Sequence, residues 1–237
     1  MDDQLRIFTY HRVHDDGDVT VPDDPGRVNA SDFQQQMTYL ANAGFQTVTH
    51  HQIAAWLWDG KPLPPRAVAL DFDDNRLNVF ENAFPIMHSF HFTGTVFTVT
   101  NLANGELLPK MDHYPAMRWA HLLELRDVGW CIAPHTCTHR LLTKISLDET
   151  RQEMIDSYQR VRDMTGEDAP YFAYPNGHWN DELEAIAKQV FRTARHWHHD
   201  DAPLVTRHTD PYRLPAVNVA ANMTMPRFQS LTVNRAR

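Results

Sequence analysis

The sequence predicts a single-domain parallel α/β fold that spans residues 1–237. Short runs of apolar and β-branched residues alternate with segments of helical periodicity along the whole chain, which is the pattern of strand–helix units in a parallel sheet. We count roughly seven such units, and no low-complexity linker or break in composition separates them. A chain of 237 residues fits an α/β barrel or a doubly wound sheet.

The first half of the chain contains four predicted strands, at residues 6–13, 45–49, 67–70 and 93–100. Between the first two, a helix is predicted from Ser31, its N-cap, to Gly44, because apolar residues recur at i, i+4 and i+7. A small helix around QIAAWL follows the second strand. The segment NVFENAFPIMHSF also has a helical pattern, in which Pro85 predicts a kink or a second helix start.

The second half continues the alternation. A helix is predicted at 117–129 and is followed by the short strand WCIAP. Ser146 and Glu149 form the capping box of a long helix that ends at Gly166. YFAYPNG is predicted to be a strand that runs into a turn, and the next helix is capped by Asn180. FRTARHW and YRLPAVNV are the last two predicted strands.

Composition excludes several classes of function. The net charge is −8 and no basic run is present, so we expect no nucleic-acid partner. No apolar stretch approaches the roughly 20 residues that span a bilayer. The start, MDDQLRIF, lacks the basic and apolar regions of a signal peptide, so the sequence as it stands predicts a cytoplasmic protein, or a secreted or periplasmic one if a leader has been removed.

Cys131 and Cys137 are too few for a disulfide framework and suit a reducing compartment. Oligomeric state is left open.

The segment HTCTH places His135 and His139 four residues apart. On a helix, or in a tight loop that leaves a strand, side chains at this spacing can converge on one point. With one carboxylate they would form a three-residue ligand set that leaves a fourth position for water, as in catalytic zinc sites. The alternative is a pair of surface histidines near a helix start.

The segment ALDFDDN places three carboxylates at the end of an apolar run. In an extended strand Asp71 and Asp73 point to one side and Asp74 to the other, unless the strand turns there. Asn75 suits such a turn because it tolerates the left-handed conformation. This strand and WCIAP both end in polar residues, and parallel α/β folds bind ligands at the carboxyl ends of their strands. We therefore predict that the acidic cluster and the histidines form one divalent metal site; a solvated acidic turn is the alternative.

FDDN, HTCTH and FAYPNG together resemble the motifs TFDDG, H(S/T)xxH and FAYPYG of the polysaccharide deacetylase family, which is carbohydrate esterase family 4 with its NodB-homology domain. The third motif is that of the poly-N-acetylglucosamine N-deacetylase branch. TYHRV, FQQQMTYLANAGFQTVT, TGTVFTVT and DPYRLP resemble the same branch in the same order, so the resemblance covers nearly the whole chain. It implies a distorted (β/α)7 barrel with its site at the C-terminal ends of the strands.

The resemblance also implies roles for individual residues. Asp73 would be the general base, and Asp74, His135 and His139 would hold one divalent metal ion. Zinc is the expected ion, with cobalt, nickel or another divalent ion as alternatives. The implied reaction is the removal of acetyl groups from N-acetylated sugars, such as poly- or oligo-N-acetylglucosamine, by metal-activated water. Tyr174 is expected beside the backbone N–H that stabilises the oxyanion.

Three departures from the family pattern stand out. Asn75 replaces the motif glycine, and Asp71 replaces the motif threonine. We predict that Asp71 tunes the base or serves as an extra ligand, with Arg76 offsetting its charge. The alternatives are that it marks a changed substrate or a weakened enzyme. The late LxxH-like motif that usually supplies the general acid reads LPAVNV here. The candidate acids are His196, His198, His199 and His208.

Sugar rings are usually held against aromatic faces, together with a few polar groups. The predicted substrate-binding residues are Asp71, Tyr10, Trp197 and Pro175, and further candidates near strand ends are Trp119, Tyr212 and His11. An acetylated carbohydrate is the expected partner. Three alternatives are an O-acetyl esterase of the acetylxylan type, another amide or ureide C–N hydrolase on the same scaffold, and a catalytically weak carbohydrate-binding homologue.

Overall fold

The computed structural model of the protein describes residues 4–17, 26–108, 111, 115–198 and 202–232. Within these residues the strands are, in chain order, β1 (Gln4–Tyr10), β2 (Arg12–His14), β3 (Arg27–Asn29), β4 (Gln46–Thr47), β5 (Ala67–Asp73), β6 (Thr95–Thr98), β7 (Cys131–Pro134), β8 (Tyr171–Ala173), β9 (Thr193–His198), β10 (Val205–Thr206) and β11 (Leu214–Asn218). The helices are α1 (Ala30–Asn42), α2 (His50–Asp59), α3 (Phe84–Ser89), α4 (Thr100–Asn104), α5 (Trp119–Asp127), α6 (Leu147–Thr165), α7 (Asp181–Val190) and α8 (Met225–Thr232).

Seven strands of the described residues form a nearly closed barrel in the order β7-β6-β5-β1-β11-β9-β8. Every neighbouring pair along this path is parallel. The register aligns Thr9 of β1 with Asp71 of β5 on one side and with Asn218 of β11 on the other. All seven carboxyl ends therefore lie at one rim of the barrel, which confirms the predicted (β/α)7 barrel.

The barrel strands are buried on both faces. Alternate residues point to opposite faces of a strand, and here they pack into two different apolar clusters. Ile7 and Ala69 belong to one apolar cluster, whereas Phe8, Leu70 and Val217 belong to a second and larger one. A parallel sheet with helices outside and side chains filling its interior has this pattern.

Several local predictions are confirmed in detail. Ser146 and Glu149 cap α6 reciprocally, since the Glu149 amide lies 3.2 Å from the Ser146 hydroxyl and the Ser146 amide lies 3.0 Å from the Glu149 carboxylate. Gly166 ends that helix with φ 72°. At Pro85 a π-helical turn over Val79–Ala83 gives way to α3, so the predicted second helix start is present.

Two predicted boundaries are wrong. The first predicted strand divides at His11, which lies between β1 and β2 and belongs to neither strand. Helix α1 begins two residues earlier than predicted, with Asn29 rather than Ser31 at the N-cap position. The interruption at His11 matters for function because it directs that side chain towards the rim of the barrel.

None of the helices in the described part of the chain combines the length and hydropathy needed to cross a membrane. Cys131 and Cys137 are both free thiols, and Cys131 is buried.

Candidate metal and catalytic site

Asp74, His135 and His139 come together at the carboxyl ends of β5 and β7. One potential ligand atom of each residue lies within 4.8 Å of the others. His139 Nε2 is 3.2 Å and His135 Nε2 is 3.7 Å from Asp74 Oδ1. The predicted convergence of the acidic cluster with the HTCTH histidines is therefore present in the structure.

This donor set fits a divalent cation. The Nδ1–H of His135 donates to the carbonyl oxygen of Ala173 at 2.7 Å, which leaves Nε2 as the free nitrogen facing Asp74. Burial lowers the pKa of His135 to about 4 despite the nearby Asp74 charge, so its imidazole is neutral at pH 7, which is the form that binds metals. Asp74 Oδ1 is buried and accepts no hydrogen bond from the described residues. Two imidazoles and one carboxylate suit zinc or a similar ion.

A sharp turn after β5 directs Asp74 into this site. Asp74 has φ 70° and Asn75 has φ 40°, so the strand turns where the sequence predicts. The Asn75 amide group donates to the Met117 carbonyl at 3.0 Å, and its side-chain oxygen accepts from the Val99 amide at 3.0 Å. Asn75 thus supplies two hydrogen bonds that a glycine could not.

The electrostatics of Asp74 favour its ionised form. Burial alone would raise the pKa of Asp74, but His139, Arg76, His11 and His135 outweigh this effect, and the pKa lies below its usual value. Arg76 Nη2 lies 3.6 Å from Asp74 Oδ2. The prediction that Arg76 offsets the charge of Asp71 is wrong, because Arg76 contacts Asp74.

The HTCTH segment is a tight loop rather than a helix. Thr136 and His139 have φ values of 68° and 56°, and such conformations are held only when the surroundings fix them. The Thr136 hydroxyl accepts from the His139 amide at 2.9 Å. Glu153, on α6, accepts from the amides of Cys137 at 2.8 Å and Thr138 at 3.0 Å. The sequence does not predict this role for Glu153, which lies fourteen residues after His139 and carries no local motif.

We expect Glu153→Gln to weaken metal binding by about 10–100-fold, the usual effect of losing a residue that supports a ligand. Both loop amides donate to one oxygen of Glu153, and the neutral oxygen of glutamine accepts such hydrogen bonds more weakly than a carboxylate does. Isothermal titration with zinc measures the change. Glu182→Gln, the same exchange at an exposed position of α7, is the matched control, and equal affinity in the two variants would contradict this role.

Asp73 lies beside the metal-ligand trio without belonging to it. It is fully buried, Arg195 Nη2 donates to its Oδ1, and its Oδ2 accepts no hydrogen bond from the described residues. Burial raises the pKa of Asp73 above its usual value, although the Arg195 charge opposes this effect. A carboxylate with one oxygen held and the other free is well suited to accept a proton.

His11 is the nearest imidazole to this free oxygen. Its Nε2 lies 3.9 Å from Asp73 Oδ2, and its ring makes an edge contact with Trp197, with centroids 6.1 Å apart. Burial lowers the pKa of His11, against the opposing charges of Asp73 and Asp74. From the sequence, His11 is only one of several candidates near strand ends. The pattern that points to it is its position directly after Tyr10, where β1 ends.

Asp71 has a different environment from the one predicted. It is fully buried and lies 2.9 Å from Arg195 Nε and 3.1 Å from His50 Nε2. Asp71 is therefore neither part of the ligand trio nor able to contact a substrate, and the prediction of a substrate-binding or ligand role is wrong. The positive charge that compensates Asp71 is that of Arg195. In the sequence, Arg195 is one of two arginines in the segment FRTARHW, and no motif distinguishes it.

A cleft of about 1360 Å³ opens above the metal-ligand trio. Asp74 and His139 lie in its lining together with His11, Trp197, Asn176 and Asn218. Trp197 is half-buried, and its place in the lining agrees with the predicted sugar contact. Ligand pockets for small molecules usually measure about 300–1,000 Å³, so the cleft has room for more than one sugar ring.

Three predicted site residues are structural instead. Tyr10 is fully buried, and its hydroxyl donates to Gln36 at 2.8 Å. The Tyr174 side chain is buried in an apolar cluster with Phe172, and its amide donates to the Arg195 carbonyl at 2.9 Å, so it cannot serve an oxyanion. Pro175 is buried as well. Because the strand pairing continues through Tyr174, the segment first reaches the cleft at Asn176, which has φ 56°.

Of the candidate acids from the late histidine-rich segment, His196 and His208 are described, and neither lies in the cleft lining. His196 is buried against Trp179, with ring centroids 5.8 Å apart, and His208 is exposed and absent from the cleft lining. The His198 side chain and all of His199 lie outside the described residues. Trp119 and Tyr212 do not line the cleft either; their polar atoms donate to Asn104 Oδ1 and to the Phe191 carbonyl.

Comparison with known proteins agrees with this geometry. The sequence model of the polysaccharide deacetylase family matches residues 60–193. The protein YxkH of Bacillus subtilis is 23% identical over 187 residues, which cover 79% of this chain and 62% of that protein. The poly-beta-1,6-N-acetyl-D-glucosamine N-deacetylase of Staphylococcus epidermidis is 24% identical over 207 residues, which cover 81% of this chain and 68% of that protein.

The fold is shared with a solved structure, that of the Streptococcus pyogenes deacetylase PplD in complex with acetate. The two align with a TM-score of 0.86 at 20% identity, over 97% of this chain and 98% of that one. The family model covers more than half of this chain. The matched residues include β5, which ends at Asp73, the turn that carries Asp74, and the loop that carries both histidines. The chain belongs to the polysaccharide deacetylase family.

Proposed function

We propose that this protein is a metal-dependent N-deacetylase that removes acetyl groups from N-acetylated sugars of a glycan, of the poly- or oligo-N-acetylglucosamine type. The observation that carries the proposal is that a fitting metal-ligand trio reaches the cleft through Asp74 and His139. Next to it in the chain, Asp73 has a free Oδ2 that lies 3.9 Å from Nε2 of His11, another residue of the cleft lining. The similarity to a poly-N-acetylglucosamine deacetylase supports the choice of substrate class, and so does the size of the cleft.

Asp74, His135 and His139 would hold the metal ion. A divalent cation bound there supplies Lewis acidity, which polarises an acetyl carbonyl and lowers the pKa of water. Asp73 accepts a proton from the attacking water through its free oxygen. As the C–N bond breaks, the proton that Asp73 has taken from water passes by way of His11, whose Nε2 lies 3.9 Å from Asp73 Oδ2, to the amine nitrogen. The products are acetate and a free amino sugar, and both side chains return to their starting protonation states. His11 fills the role for which the late motif offers no histidine.

The test is acetate release from a panel of substrates, namely mono- and oligo-N-acetylglucosamine with β-1,4 and β-1,6 linkages and O-acetylated xylan. We expect acetate and free amine in equal amounts from the N-acetylated oligomers, with loss of turnover on chelation and recovery when zinc is restored. Acetate from the xylan alone would instead make the protein an O-acetyl esterase. Sugar binding without turnover in the presence of metal would identify a binding homologue.

The role of His11 gives a separate prediction. His11→Gln is expected to lower kcat for amide substrates by about 10²–10⁴-fold, as for other lost acid catalysts, and to leave hydrolysis of p-nitrophenyl acetate nearly unchanged, because that leaving group departs without a proton. His208→Gln is the matched control and should match the wild type on both substrates. An equal loss on amide and ester would contradict the assignment of His11 as the acid.

A further inference from the structure

A chain of buried polar side chains lies behind Asp73, on the side away from the cleft. His50 Nε2 lies 3.1 Å from Asp71 Oδ2, and Arg195 Nε lies 2.9 Å from the same oxygen. Arg195 Nη2 then donates to Asp73 Oδ1. The side chains of His50, Asp71, Arg195 and Asp73 are all at most 1% exposed. None of the first three reaches the metal-ligand trio or the cleft lining.

Stability alone is a poor explanation for this arrangement. Taking charged groups out of water carries a desolvation penalty, and well-packed apolar side chains often stabilise a core as well as a buried ion pair does. The family motif resembled by FDDN has an uncharged threonine in place of Asp71. Here a second carboxylate, Asp71, lies near the base, together with Arg195 and His50. We therefore look for the role of these three residues in the orientation of Asp73.

Two contacts restrict the orientation of Arg195. Its Nε lies 2.9 Å from Asp71 Oδ2, an ion pair without hydrogen-bond geometry, and the Phe97 ring lies 4.6 Å from its Cζ, so the planar guanidinium has a carboxylate at one edge and a ring at one face. Its Nη2 then points at Asp73 Oδ1. His50 fixes Asp71 in turn, and is itself anchored by its amide, which donates to the Thr95 hydroxyl at 3.2 Å.

The position of Arg195 determines which oxygen of Asp73 is available for proton transfer. Because Arg195 donates to Oδ1, rotation of the Asp73 carboxylate is disfavoured, and Oδ2 remains free and 3.9 Å from His11. Fixing a catalytic group in its productive orientation avoids the loss of rate that misplacement causes.

We propose that Asp71 and His50 are positioning residues for the reaction, which act on Asp73 through Arg195. The proposal rests on the proposed function, in which Asp73 accepts the proton. Asp71 stands where the family motif has threonine. In this proposal the aspartate supports the catalytic base and does not reflect a changed substrate.

Kinetics provide the first arm of the test, on the zinc-loaded full chain with an N-acetylated oligomer. Asp71→Asn is expected to lower kcat by about 10–100-fold, with KM and zinc affinity within about two-fold of the wild type. His50→Gln, which keeps a donor for Asp71, should retain more kcat than His50→Leu. In the Arg195→Lys background, Asp71→Asn should cause no further loss beyond about two-fold. Independent, multiplicative losses, or KM and zinc affinity that change together with kcat, would overturn the proposal.

Crystallography provides the second arm, which needs no activity. In the Asp71→Asn structure we expect the Arg195–Asp73 contact to lengthen beyond hydrogen-bond distance or the Asp73 carboxylate to adopt two orientations. An unmoved Arg195 and Asp73 would overturn the proposal. If Asp71→Asn does not fold, Asp71→Thr, which introduces the residue of the family motif, takes its place in both arms. A wild-type protein that releases no acetate would contradict the proposed function, while the crystallographic arm would still decide whether Asp71 holds Asp73.

Discussion

Replacing Asp73 with asparagine is expected to lower kcat for N-acetylated oligosaccharides by about 10²–10⁴-fold, the range typical for loss of a general base. The substitution suits the site because the asparagine oxygen can still accept the hydrogen bond from Arg195 Nη2 that Asp73 Oδ1 accepts now. The new amide removes the proton acceptor and little else. Steady-state acetate release measures the effect.

The control for this prediction is Asp163→Asn, the same exchange on the exposed face of α6, which should leave kcat unchanged. Zinc affinity of Asp73→Asn should equal that of the wild type, because Asp73 is not one of the three grouped ligand residues. If Asp73→Asn kept more than about a tenth of the wild-type kcat, the assignment of the base would be wrong.

The second large effect is expected at Asp74. Asp74→Asn should weaken zinc binding by more than about 100-fold, which exceeds the usual loss from removing a supporting residue. The neutral amide oxygen is a weaker ligand than a carboxylate, and the charge that His139 and Arg76 now favour is removed. Competition with a chromogenic chelator measures the affinity.

Turnover of Asp74→Asn should fall with zinc occupancy and recover in part at high zinc concentration. The two variants change adjacent residues but should behave differently. Asp73→Asn should bind zinc normally and lose turnover, whereas Asp74→Asn should lose turnover because it loses zinc. Zinc affinity of Asp74→Asn equal to that of Asp163→Asn would exclude Asp74 as a ligand.

The parts of the fold that the sequence predicted are those with strong local patterns. The capping box at Ser146 and Glu149 and the stop at Gly166 set α6 through contacts within a few residues. The turn after β5 was predictable for the same reason, since the preference of asparagine for positive φ is a local property. His135 and His139 could be paired because their spacing and the rule for strand ends both pointed to one rim.

The site residues that the sequence did not reveal depend on contacts across the barrel. Arg195 lies 122 residues from Asp73 along the chain, and nothing around it distinguishes it from a surface arginine. Glu153 is one acidic residue among several on α6. Tyr10 and Tyr174 failed as predictions because position near a strand end does not determine whether a ring points to the cleft or into the core.

Anomalous diffraction at the zinc edge, from crystals of the zinc-loaded protein, shows directly whether Asp74, His135 and His139 bind the metal ion. We expect a single strong peak at the base of the cleft, about 2.0–2.2 Å from Asp74 Oδ1, His135 Nε2 and His139 Nε2, with Asp73 close by but not bound to the ion. A peak elsewhere, or none at these three residues in protein that releases acetate, would contradict this assignment.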